Sequence, residues 1–192
     1  HDLGSVLGGV RAMTEGIGFD RLVHTLMAIL RERAGAQRGL LIRIVDNTSP
    51  ETQAWAETSS EGVKVQIARA RPTATDMPLS VLSAVMRTGQ EIRISKPELF
   101  GPFSQDPYLV TSGAAILCVP MHKQGKLVGV LYLENRVMPE IFTAEHSRIV
   151  RMLAAQAAVS LETARLYAEL LEENVQRRRA EKELRTSQTS LM

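Results

Sequence analysis

From Thr143 to Met192 the chain contains neither proline nor glycine, and this run follows directly on an apolar hairpin. The hairpin is Ala114-Ala-Ile-Leu-Cys-Val-Pro-Met121, a turn at Lys123-Gln124-Gly125, then Lys126-Leu-Val-Gly-Val-Leu-Tyr-Leu-Glu-Asn135. Both of its strands are apolar on both faces, so both faces must be covered. Pro120 cannot donate to a ladder, which predicts a strand end or bulge there. A sheet with a helix of such length leaving its end suits transmission of a signal better than catalysis.

Earlier segments supply the rest of a sheet. Phe19 to Ala34 reads as a helix, because Phe19, Leu22, Val23, Leu26, Met27 and Leu30 recur at three and four residues, and Gly35 ends it. Asp2–Met13 has a weaker pattern of the same kind. Leu40–Val45 reads as a buried strand closed by the Asp46–Pro50 turn cluster; Gln53–Glu57 and Val63–Ala68 read as the next two, joined by a turn at Ser59–Gly62. Ser80 is expected to cap a short helix through Arg87, with Gly89 as its stop, before a brief strand at Glu91–Ile94. Lys96–Tyr108, with three prolines and a glycine among aromatics, reads as a loop folded back over the sheet. The outcome is an α+β domain: a mainly antiparallel sheet of about six strands, helices on both faces, and a long C-terminal helix.

With 192 residues and 44% hydrophobic residues, one core is expected, and at 4% aromatics it must be built largely of aliphatic side chains. A net charge of +2, without an aromatic-basic patch, argues against nucleic acid as a partner. No apolar run approaches the roughly 18 residues of a membrane span, so no membrane partner is expected. The single cysteine, Cys118, excludes an internal disulfide and fits a cytoplasmic setting. Because the chain starts at His1 and ends in mid-helix, it reads as part of a larger protein.

In the long helix Val150, Ala154, Ala157, Leu161, Ala164, Ala168, Leu171 and Val175 step by four and three, a heptad seam suited to a second copy of the chain. Leu153, Leu166, Tyr167 and Leu170 form a flank expected to face the domain itself. Past Val175 the helix is almost wholly polar. The alternative is a solvated helix end, but a helix polar all round is barely stable alone.

Leu117-Cys-Val-Pro120, Gly125–Asn135, Phe142-Thr143 and Leu153–Tyr167 together resemble a GAF domain, as does Ala36-Gln-Arg-Gly-Leu-Leu41. The likeness runs from about Phe19 to Tyr167 and is strongest to GAF domains inside bacterial multidomain sensor histidine kinases. It implies a GAF/PAS-like (profilin-like) fold, a small-molecule pocket under irregular loops, dimers through terminal helices, and adjacent PAS or kinase domains. The expected organisation is an N-terminal helical connector at 1–17, a sensor domain at 18–170, and a coiled-coil linker at 171–192. Cyclic-nucleotide-binding members carry Asn-Lys, then Phe, then an acidic pair beginning four residues later. Here Asn135, Arg136 and Phe142 are followed by His146 and Ser147, which argues against that ligand class.

No cofactor is required by the sequence. Cys118 sits in an apolar strand with no basic neighbour, so it reads as a core residue rather than a redox nucleophile or bilin anchor. His24 and His122 lack a second ligand at metal spacing. No Walker loop or nucleophile elbow is present, and Gly4–Gly8 has the wrong spacing for a dinucleotide fingerprint. For a small-molecule ligand the candidates are Phe100, Phe103, Asp106, Tyr108 and Ser112; the alternative is that these aromatics only pin the loop to the sheet. The sensor reading stands beside two others: a ligand-free dimerisation module, and the GAF domain of a transcription regulator.

Overall fold

The computed structural model describes residues 19–96 and 101–190. Asp2–Met13, the 1–17 connector and Phe100 lie outside the described residues. The elements run α1 (Phe19–Ala34), β1 (Arg38–Val45), β2 (Ser49–Ser59), β3 (Gly62–Ala70), α2 (Leu79–Thr88), β4 (Ile92–Ile94), a 3-10 turn (Gly101–Phe103), α3 (Pro107–Ser112), β5 (Ala115–Lys123), β6 (Lys126–Asn135) and α4 (Ala144–Thr189). Six strands form one sheet in the order β3-β2-β1-β6-β5-β4, and every pairing is antiparallel.

Alternation along each strand divides the core into two layers. Leu41, Ala54, Ala56, Leu117, Val119, Leu131 and Leu133 face α1 and α4, where they meet Val23, Leu26, Leu30, Val150, Leu153 and Ala157. Leu40, Ile42, Ile116, Cys118, Val130 and Tyr132 face the other way, against Met77, α2 and α3. This is why β1, β5 and β6 carry continuous apolar runs, Leu40–Ile42, Ala115–Met121 and Leu127–Leu133: their middles are buried on both sides.

Several boundaries shift for local reasons. β1, β2 and β3 extend beyond the apolar stretches, because register pairs such as Arg38 with Glu57 and Glu57 with Lys64 continue the ladder through polar residues. Ser80 does not cap α2; Pro78 stands at the N-cap without a side-chain bond, and Ser80 instead donates to Asp106. Gly89 does end α2, in the left-handed conformation at φ 66°. The loop after β4 is not wholly irregular, since Asp106 caps α3 by accepting from the Tyr108 and Leu109 amides. Pro120 lies on β5 beyond the three residues that pair with β4, one position before a register shift at Met121/His122.

Gly129 is the tightest glycine in the sheet. A Cβ there would stand 2.6 Å from the Ile42 carbonyl oxygen and 3.3 Å from the Met121 sulfur. Gly129→Ala is expected to cost about 1–3 kcal/mol, as backbone must give way, measurable as a lowered urea midpoint.

Helix α4 departs from its expected register. Val150, Ala154, Ala157 and Leu161, expected to face a second copy, are instead buried in the core of the single chain. Their small side chains let α4 lie close to its own sheet and to α1. Leu166, Tyr167 and Leu170, expected to face the domain, are exposed because α4 has by then left the sheet. Leu171 and Val175 are exposed as well.

Candidate functional site

A charged cluster lies at the open end of β1 and β6, on the face that carries α2 and α3. Its centre is Glu134, 1% exposed, on a strand that is apolar from Leu127 to Leu133. Alternation puts Tyr132, Glu134 and Arg136 on this same face. Tyr108 donates to Glu134 Oε2 at 2.5 Å, and Tyr132 donates to the same oxygen at 2.7 Å. Arg136 Nε donates to Oε1 at 3.2 Å, and Arg38 Nη1 stands 3.7 Å from that oxygen. Both guanidinium groups also donate to the Tyr108 hydroxyl, at 3.1 Å from Arg38 and 2.9 Å from Arg136. Arg38 Nη1 further bonds the Asp76 carbonyl, which ties the loop before α2 to β1.

The cluster therefore joins four separate parts of the chain: β1, the loop before α2, α3 and β6. Every oxygen of Glu134 has a donor, which is the condition for a buried charge to be tolerated. Burial, then the hydrogen bond to and the charge of Glu134, hold the Tyr108 phenol above its ordinary value of 10.0, against the pull of Arg136 and Arg38. Tyr132 is held well above that value, by burial first and then by the charge of Glu134. The Arg136 guanidinium is raised further, chiefly by its bond to Tyr108.

The sign of the resulting pH dependence is fixed. A phenol raised in the folded state keeps its proton there while the unfolded chain loses it. That contribution is whole below about pH 10 and is lost as pH rises through the folded value. Cys118, fully buried and raised from an ordinary value of 9.0 by burial alone, adds the same trend from a lower pH. Stability to urea is thus expected to fall between pH 9 and 11 (about the range those values span), and less steeply in Tyr132→Phe. In the same experiment the native thiol should resist alkylation, whereas the unfolded chain should react readily.

Beside this cluster an open cleft of about 360 Å³ lies over β1, β2 and β3. It is lined by Arg38, Leu40, Thr52, Trp55, Glu57, Ala68, Ala70, Arg71 and Asp76. The space over the centre of the sheet is occupied by Met77, Val81, Val85, Tyr108 and Leu109, all buried.

The residues singled out from sequence fall in different places. Tyr108 is buried and belongs to the charged cluster. Asp106 is buried but committed to α2 and α3: its carboxylate accepts from the Ser80 amide and hydroxyl and from the Tyr108 amide. Phe103 packs half-buried against the core, and Ser112 accepts from the Ala114 amide. None of these lines the cleft, and Glu134, Arg38, Trp55, Arg71 and Asp76 were missed. A glutamate two residues past Tyr132 in an apolar strand was the available signal.

The region after β6 accounts for the departure from the cyclic-nucleotide pattern. Asn135 bonds the Gly35 carbonyl at 2.9 Å and accepts from the Val137 and Met138 amides, fixing the turn out of the sheet. Phe142 is buried. Arg136 takes its carboxylate from Glu134, and His146 forms a capping box with Thr143 at the start of α4. Among the described residues no group of three or more His, Cys, Asp or Glu could hold a metal ion, and no helix is long and apolar enough to cross a membrane.

An antiparallel six-stranded sheet layered between α1 with α4 and α2 with α3, holding a polar cluster at one end, defines the class of domain. The chain belongs to the GAF domain family, whose model matches residues 18–161. The GAF domain of a phosphoenolpyruvate-protein phosphotransferase from Coxiella burnetii superposes with a TM-score of 0.61 at 19% identity, covering 85% of this chain and 96% of that one. A domain from a Sinorhizobium meliloti 1021 protein assigned as a two-component sensor histidine kinase superposes with a TM-score of 0.55 at 14% identity, over 80% and 98% of the two chains. In sequence, 93 residues are 37% identical to hybrid signal transduction histidine kinase G of Dictyostelium discoideum. That match takes in 48% of this chain and 3% of the relative, so the chain is similar to one small part of a far longer protein.

Proposed function

We propose that this chain is a regulatory, non-catalytic module of a cytosolic sensor histidine kinase, in which a small molecule bound in the cleft biases the packing of α4. The observation that carries this reading is the dual position of α4. Its first turns are core, with Val150, Leu153 and Ala157 buried, and the same unbroken helix runs on to Thr189. Beyond Leu161 it extends for about 42 Å at 1.5 Å per residue. A shift in the domain core is therefore a shift of the helix, and a packed helix pair has discrete alternatives through which such a shift can be passed on.

The helix pair would form between two copies. Met152, Val159 and Leu166 are exposed at intervals of seven residues, with Leu170 one turn further on. This stripe replaces the seam of buried residues and leads into Leu171 and Val175. Adjacent domains of the parent protein, PAS or kinase, would continue from the far end, with histidine phosphotransfer residing in them. The similarity to a histidine kinase supports that parentage.

Native mass spectra of the purified chain, beside its denatured mass, test the reading. The expected result is a dimer, carrying extra mass that denaturation removes or acquiring it on titration. Paired spin labels at Leu184→Cys would then report whether occupancy changes the spacing of the two helices; occupancy without any change would overturn the sensor reading. A second reading, a ligand-free dimerisation module, is favoured by the filled space over the central strands. It predicts a dimer at the bare chain mass that no titration alters.

A further inference from the structure

We propose that the cleft over β1–β3 takes a small planar organic anion, an aromatic carboxylate, with its carboxylate on Arg38 and Arg71 and its ring against Trp55. This deepens the sensing reading above and rests on it.

Room is the first condition. The floor of the cleft is made by Ala68 and Ala70 at the end of β3, beside Thr52 and Trp55 on β2. Methyl side chains at both alanines leave a volume of about 360 Å³, near the lower end of ligand pockets and suited to a molecule of one or two rings. Trp55 gives this space a flat apolar wall, and Leu40, its partner across β1 and β2, adds to it.

Charge is the second. Arg38 is pre-positioned, since Nη1 is held by the Asp76 carbonyl and the Tyr108 hydroxyl. Its Nε and Nη2 have no partner among the described residues, which leaves two donors for an incoming carboxylate. Arg71, exposed at the end of β3, is engaged by no carboxylate among the described residues. Lys64 stands 5.8 Å from the Trp55 ring and enriches that wall in positive charge.

The acids present do not reverse this balance. Asp76 is committed to its own turn, accepting from the Thr73 amide and hydroxyl at 2.8 Å each. Glu57 lies between Arg38 and Lys64 in the ladder, so cations flank it on both sides. Glu134 is shared with Arg136 and both tyrosines. A cationic ligand would find no uncommitted carboxylate without two cations beside it, whereas an anion meets two guanidinium groups.

Trp55 is the single tryptophan of the chain, so its fluorescence reports this cleft alone. The test is titration of the full chain with benzoate, phenylacetate and indole-3-carboxylate, the last followed by ligand-observed NMR because it absorbs with tryptophan. The matching uncharged amides serve as controls. The expected result is saturable binding of at least one carboxylate and much weaker binding of its amide. Arg71→Gln should weaken the carboxylate about tenfold or more, the worth of a charge-assisted contact. Ala68→Leu should abolish binding by filling the floor, with circular dichroism showing both variants folded. Equal affinity for acid and amide would overturn the anion assignment while leaving a sensing cleft. Absence of any saturable signal across the set would overturn the proposal. Failure of the sensing reading itself is seen separately, as carboxylate binding that leaves the Leu184 label spacing unchanged.

Discussion

Glu134→Ala is expected to lower the unfolding free energy by about 3–5 kcal/mol, the range for breaking one partner out of a buried ion pair. The substitution strips an acceptor from the Tyr108 and Tyr132 hydroxyls at once, and it leaves Arg38, 19% exposed, facing a cavity. Arg136 is half-exposed and can turn to water, which keeps the cost from rising further. Glu134→Gln separates charge from shape: the amide oxygen still accepts from the phenols, so a smaller loss is expected, together with a fall in the Tyr108 and Tyr132 values toward the ordinary one. Urea denaturation at pH 7 gives the first quantity and absorbance titration of the phenols the second. A loss under 1 kcal/mol for Glu134→Ala (about the worth of an exposed pair) would mean that the cluster does not hold the loop, α3 and β6 together.

The same residue marks the boundary of what was legible in the chain. Local pattern is enough to find α1, β1, the hairpin of β5 and β6, and α4, because their apolar periods are long and the breaks at Gly35 and Gly125 are unambiguous. The cluster is not local. Arg38, Asp76, Tyr108 and Glu134 are brought together by β1 pairing with β6 and by two helices closing over them, and no spacing in one segment encodes that meeting. Asp106 illustrates the opposite error. A carboxylate in an aromatic loop reads as a ligand group, but it is consumed by four donors from α2 and α3. The cleft escaped notice because its floor is two alanines, residues that announce themselves only when the space above them is seen.

Helix α4 gives the second large effect, because two faces of one helix compete for the same sequence pattern. Ala154 and Ala157 satisfy a heptad, and they equally satisfy close packing on a sheet; periodicity does not distinguish a partner from the chain's own core. Burial does. Leu153→Ala should therefore cost the isolated fold about 2–5 kcal/mol, the range for a fully buried leucine truncated in a packed core. Leu166→Lys and Leu170→Lys should behave differently, since both side chains are about half-exposed in the single chain. Their expected effect on the unfolding of a dilute monomer is within about 0.5 kcal/mol, as for ordinary surface substitutions. At higher concentration, where a lysine pair would face its own copy across a two-fold contact, the doubly substituted chain should remain monomeric in sedimentation. Leu153→Ala should weaken association only in proportion to its loss of folded protein. If the lysine pair leaves a dimer intact while Val150→Lys dissociates it without unfolding the chain, the seam runs along the buried face and α4 must leave the core to form it. If both pairs of results come out as expected, α4 carries two separate interfaces. The inner one anchors it to the sheet, the outer one joins two copies, and any displacement of the anchor is delivered to the junction by an unbroken helix.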